Sequence, residues 1–344
     1  MRDARKHRRT PSLFLGALLA AGVAQGSPVL AEAQRSTFGA NALLRARELV
    51  SGQGPRKPRS LLLRALPPPL RTRVLRNALA LDEASVRGVT ITPAESGKDT
   101  EQASRLVHDM YAQRGITGID PSGLRVTPYL LHPQTQVFVA KREGTVIGTI
   151  SLQVDSPLGV PMEKIYGTEI GALRDSGRVV AEVGALAPAP GVRGQGMVHL
   201  LNKAMLDHAR RTGVDDLVIS VHPDAEDLYR DTLLFTRMGN VKPYPGLAAS
   251  GLAVPLRLDL HTAPERFRAA YDARGGFDLH AFYIVGERPE IGRGRPDASA
   301  RSVSRRVVSA RRLLARRPQT LDEATPEQRD QLERVRVLRA PRAP

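Results

Sequence analysis

The stretch from Arg178 to Met197 places the tightest limits on what this chain of 344 residues can fold into. Val179 to Ala187 is an apolar run of strand length, and Met197 to Arg211 has the spacing of a helix ended by Gly213. Pro188, Pro190 and a loop containing Gly191, Gly194 and Gly196 stand between them. Such a loop leaves several backbone N–H groups unpaired at the helix start. Those donors, with the positive end of the helix dipole, favour a phosphate or pyrophosphate. Glu182 interrupts the apolar strand upstream, where a general base could stand. Together these features point to an acyl donor that carries phosphopantetheine.

The formal net charge of +16 invites a nucleic-acid reading, but its distribution argues against one. Residues 1–88 carry a net +11, residues 89–260 a net −2 and residues 261–344 a net +7. The glycine loop therefore lies in a near-neutral core between basic flanks. Flanks of this kind are solvated arms, or they contact an anionic membrane or an acidic carrier protein. The chain has no cysteine, which excludes disulfides, thiolate metal sites and cysteine nucleophiles. No His, Asp and Glu cluster has metal-ligand spacing, so no metal is expected.

Four segments are expected. Residues 1–33 join a basic start to an apolar run and an A-x-A pattern at Ala31 and Ala33, as a signal peptide does. A peripheral basic arm is the alternative. The expected compartment is the cytoplasm, with membrane association and export left open. Residues 34–88 read as a basic, Pro-rich linker with short helices, one of them from Leu70 to Leu81. Residues 89–285 read as the folded domain, with the order β-α-β-β-(α)-β-α-β-α-β. That order gives an α/β (α+β) fold with a mixed, mostly antiparallel twisted sheet and helices on both faces. Residues 286–344 read as an Arg-rich flexible tail with a marginal helix near Ser304 to Ala315.

The order of elements, with a glycine loop after the fourth strand, resembles the GNAT acyltransferase superfamily. Its phosphate loop maps onto Arg193, Gly194, Gln195, Gly196 and Met197, and Val198 departs from the small residue expected last. A second set is Gly148 to Leu152, Asp155, Gly159 to Met162, Glu169, Arg174, Glu182, Leu186, Ala187, His222, Tyr229, Phe235, Gly239 and Tyr244. It is similar to the catalytic core of FeeM-type long-chain N-acyl amino acid synthases, which are themselves similar to acyl-homoserine lactone synthases. The resemblance covers about residues 89–260. It implies transfer of a fatty acyl group from an acyl carrier protein, or from acyl-CoA, to the amine of an amino acid. No permanently bound cofactor is implied.

The chemistry assigns roles. Only a neutral amine can attack a thioester, so a base must take its proton, and Glu182 is the first candidate. Its alternative is a structural carboxylate paired with an arginine such as Arg174. Tyr229, at the usual superfamily position, would protonate the leaving thiolate; its alternative is a core tyrosine. Backbone N–H groups from Ala185 through Leu186 to Ala187 would face the donor carbonyl. Arg193 would meet phosphate oxygens, or stand as an exposed loop charge. The resemblance places Glu169 and Arg174 over the acceptor, where Arg174 could grip a carboxylate bidentately; its alternative is a surface salt bridge. His222 reads as structural. Two other functions stay open: an acetyl-CoA-dependent N-acetyltransferase, and a non-catalytic basic adaptor for membrane or nucleic acid.

Overall fold

The computed structural model describes residues 66–77, 79, 86–190, 192, 196–244, 251–271, 277–286 and 300–338. The signal-like residues 1–33 and the breakers of 52–58 lie outside the described residues. Among the described residues no helix is long and apolar enough to cross a membrane.

The domain is built on one open sheet. Its strands are β1 (Val89–Pro93), β2 (Gln136–Arg142), β3 (Thr145–Val154), β4 (Val180–Pro188), β5 (Asp216–Val221), β6 (Thr236–Arg237), β7 (Lys242–Pro243) and β8 (Leu252–Asp259). The order across the sheet is β1-β2-β3-β4-β5-β8-β6, with β7 also on β8. Only β4 and β5 run parallel. The mixed, mostly antiparallel fold expected from the sequence is the fold observed. The short β6 and β7 were not expected. β2 and β3 turn at Glu143 and Gly144, both at positive φ, which matches the twist of the strands they join.

Alternation along the strands decides which helices cover which face. Ile150, Leu152, Ala181, Leu217 and Ile219 face a core shared with α5 (Met197–Arg211) and α7 (Ala263–Tyr271). The opposite face is covered by α2 (Gly97–Gln113) and α4 (Glu163–Asp175). Ser96 caps α2 by accepting the Asp99 N–H at 3.0 Å. α1 (Pro68–Asn77) packs on α6 (Glu226–Thr232), tied by Arg71 to Asp231 at 2.8 Å. Pro67 to Pro69, expected as linker, thus leads into a helix; proline at the first turn loses no hydrogen bond there.

Residues 300–338 depart most from expectation. In place of a flexible tail with one marginal helix, they hold α8 (Ala300–Arg316) and α9 (Pro326–Arg334). Ala310, Leu313, Leu332 and Val337 pack against Leu124, Val126, Leu131, Leu158 and Tyr129; the last is on α3 (Pro128–Leu131). Arg317 ties the unit to Asp120 at 2.7 Å and to the Val126 carbonyl at 3.1 Å.

Candidate active site

Glu182 stands where the sheet opens. β4 and β5 pair only at Val180 with Asp216, Ala181 with Leu217 and Glu182 with Val218. Beyond this point β5 stays with β8 as far as Val221, while β4 stays with β3 as far as Pro188. The two strands therefore part immediately after Glu182. Pro188 and Pro190, which donate no hydrogen bond, lie beyond this point: the separation begins six residues before Pro188. β4 also carries a bulge: Ser151 pairs with Gly184 and Thr149 with Ala187, which puts Ala185 and Leu186 outside the regular ladder. Ala185 sits at φ 50°, a strained value for a residue with a Cβ.

The Glu182 side chain is 6% exposed and lies on the face covered by α2 and α4. Its Oε2 accepts the Met162 N–H at 2.6 Å, at the start of α4. Among the described residues it has no arginine or lysine partner. The alternative pairing with Arg174 is not made. Arg174 instead grips Asp155 (2.8 and 3.0 Å) and Glu163 (3.0 and 3.1 Å). Burial pushes the Glu182 carboxyl from the ordinary 4.5 up to about 8, and the Met162 N–H opposes this only in part. Such a carboxyl exchanges protons near neutral pH, as a general base must.

Three tyrosines surround it. Burial raises Tyr111, Tyr129 and Tyr244, and the charge of Glu182 adds to each. Tyr244 donates to the Pro161 carbonyl at 3.1 Å. Tyr129 hydrogen-bonds Gln328 of α9, and Tyr111 meets the backbone of Ala185 in the bulge. Tyr229 is half-buried, edge-on to Phe235 at 5.8 Å, and burial raises it to about 12. It keeps its proton near neutral pH. Tyr229 is coupled electrostatically to Tyr111, and Tyr111 to Glu182, so the three groups share one field. Tyr111 comes from α2, and Tyr129 gave no signal in the sequence.

The other expected residues fall as follows. Leu186 is half-buried and Ala187 is buried against Val107 and Met110. Arg193, Gly194 and Gln195 lie outside the described residues. Gly196 opens α5 at φ 80°, a left-handed value that glycine adopts without penalty. Met197 is buried in the core. The first turn of α5 has no acidic residue, so no side-chain carboxylate of that turn competes for its N–H groups. Glu169 pairs with Lys242 at 3.0 Å, against Gly239, and its Oε2 is buried without a partner among the described residues. His222 accepts the Asp224 N–H at 3.2 Å and caps a short turn, the structural role expected of it. Among the described residues no His, Asp and Glu group could hold a metal ion.

Residues 102–259 match the family described as N-acyl amino acid synthase FeeM. This bears out the resemblance read from the residues, and with it the reading of the chain as an N-acyltransferase. The solved structure of FeeM from uncultured soil microbes is 27% identical, with a TM-score of 0.47 over 53% of this chain and 96% of that one. That of the CoA-dependent acyl-homoserine lactone synthase BjaI is 16% identical, with a TM-score of 0.42 over 64% and 100%. A putative N-acetyltransferase from Lactobacillus plantarum is 17% identical, with a TM-score of 0.35 over 51% and 99%. No curated protein gives a match.

Proposed function

We propose that the chain moves a long-chain acyl group from the phosphopantetheine thioester of an acyl carrier protein, or from acyl-CoA, to the amine of an amino acid or similar small molecule. One observation carries this reading: a buried carboxylate, unpaired with any described cation, at the point where β4 and β5 part. In the reaction the amine nitrogen attacks the thioester carbonyl carbon, and the carbonyl π pair moves to oxygen. Glu182 takes a proton from the nitrogen. Backbone N–H groups of Leu186 and Ala187 would steady the oxyanion, the Ala185 backbone being engaged by Tyr111. The intermediate then collapses to the amide, and the sulfur leaves as a thiol after taking the Tyr229 proton; Glu182 gives its proton to solvent, and solvent restores that of Tyr229.

The loop of Arg193 to Met197 would receive the donor phosphate, and the basic flanks would attract an acidic carrier protein. Glu169 and Arg174 would serve the acceptor side by fixing α4, since both are engaged in ion pairs.

The test is incubation of the full chain with acyl carrier protein or CoA thioesters and a mixture of amino acids, read by mass spectrometry. The expected product is an N-acyl amino acid. Corrected for the fraction of acceptor present as neutral amine, kcat/KM should rise with pH and level off above about 8, because Glu182 must lose its proton to act as a base. No product with any donor would defeat the reading and favour the basic adaptor. Product from acetyl-CoA alone would favour the acetyltransferase.

A further inference from the structure

Gln153 lies beside Glu182 with an unused hydrogen-bonding group. The two are direct cross-strand partners on β3 and β4, so their side chains leave the same face of the sheet. Gln153 is 8% exposed. Its Nε2 donates to Ser151 Oγ at 3.3 Å, and its Oε1 is buried with no partner among the described residues. That oxygen would be 3.5 Å from a Cβ at position 184, so the missing side chain of Gly184 keeps the space before it open. A buried amide oxygen left without a donor is unfavourable, and a native structure that keeps one invites a functional explanation.

We infer that Gln153 Oε1 accepts a hydrogen bond from the acceptor's nitrogen, and that with Glu182 it selects primary amines. The inference rests on the acyl-transfer reading of the site. A neutral primary amine carries two N–H groups and one lone pair. One N–H points to the Glu182 carboxylate and is the proton lost on attack. The other points to Gln153. With both held, the lone pair is aimed away from the sheet, toward the thioester carbon. Attack makes the nitrogen positive, which strengthens both hydrogen bonds as the barrier is crossed. A secondary amine has only one N–H. It either leaves Glu182 without its proton donor or leaves Gln153 Oε1 buried and empty.

The test uses the full chain, with medium- and long-chain acyl carrier protein and CoA thioesters as donors. Each proteinogenic amino acid other than proline is paired with its N-methyl derivative as acceptor. Wild type should favour the primary amine by a factor of about ten to a hundred. Gln153→Leu should lower kcat/KM for the primary amine about tenfold, leave KM for the donor unchanged, and bring the primary to N-methyl ratio toward one. Packing damage alone would lower both acceptors together and would not move the ratio. Gln153→Met repeats the measurement if the Leu variant fails to fold. A wild-type enzyme that uses both amines equally, or a Gln153 variant that keeps the ratio, overturns the inference while the acyl-transfer reading stands. If wild type forms no N-acyl product at all, that reading falls first and the inference falls with it.

Discussion

Glu182→Gln is expected to remove acyl transfer and to make the protein more stable. Loss of a positioned general base costs about a hundredfold to ten-thousandfold in rate. The amide keeps the shape and can still accept the Met162 N–H, so the loss should fall on the chemical step. Stability should move the other way. The carboxyl ionises near the ordinary 4.5 when unfolded but near 8 when folded. Between those pH values the unfolded state gives up a proton that the folded state keeps. Wild-type stability should therefore fall as pH rises from about 4.5 to about 8, and stay level above it. At about 1.4 kcal/mol per pKa unit the full penalty approaches roughly 5 kcal/mol, an upper bound once local relaxation is allowed. The Gln variant lacks the penalty. Denaturation of both proteins at pH 5 and pH 8.5 measures it: the variant's advantage should be small at the lower pH and largest at the higher. An equal difference at both values would show that the Glu182 charge is not what burial opposes. Full turnover by the variant would remove Glu182 as the base.

The reason Glu182 was legible in the sequence is also the reason it is reactive. A carboxylate inside an apolar strand is costly to bury, so its position in the chain alone reports a function or a partner. The sheet was legible for a related reason: Val137, Val139, Ile150 and Leu152 alternate or run in ways that fix strands. Tyr129 was not legible as a site residue, and Tyr244 entered only through the resemblance, because only the crossing of distant segments brings them to Glu182. Thr149, Ser151 and Gln153 look like the wet side of a strand. The structure covers that side with α2 and α4, so their polarity belongs to the site and not to solvent. Residues 300–338 misled through composition. Their arginines suggest a solvated arm, yet a few apolar residues at helical spacing bury one stripe, and Glu95, Glu101 and Asp120 receive the arginines. Composition counts the charges; it does not show that acceptors for them lie on α2 and its neighbours.

Asp216→Ala is expected to cost about 3 kcal/mol of stability without altering the chemistry. Asp216 is 0% exposed and opens β5, two residues before the position paired with Glu182. It is ion-paired with Arg178, which precedes β4, and with Arg257 of β8 at 2.7 Å. One carboxylate therefore joins the three strands at the closed end of the gap whose open end holds the site. Removing it leaves two guanidiniums side by side, sharing Asp259 at 2.9 and 3.5 Å, with the Asp215 carbonyl at 3.3 Å from Arg178. Breaking a buried pair from one side costs about 3–5 kcal/mol. The lower figure applies here, because both arginines reach solvent in part. Chemical denaturation should show a lower midpoint with an unchanged slope, and the folded fraction should keep the wild-type rise of kcat/KM with pH. Combining Asp216→Leu with Arg178→Met and Arg257→Met should recover much of the loss, since an apolar set of similar volume leaves no charge unpaired. If Asp216→Ala alone is neutral, solvent is already screening the arginines and the closed end is held by backbone pairing. If it shifts the pH limb as well, the network reaches Glu182 through the two intervening residues, and the closed end sets the site's acidity as well as its shape.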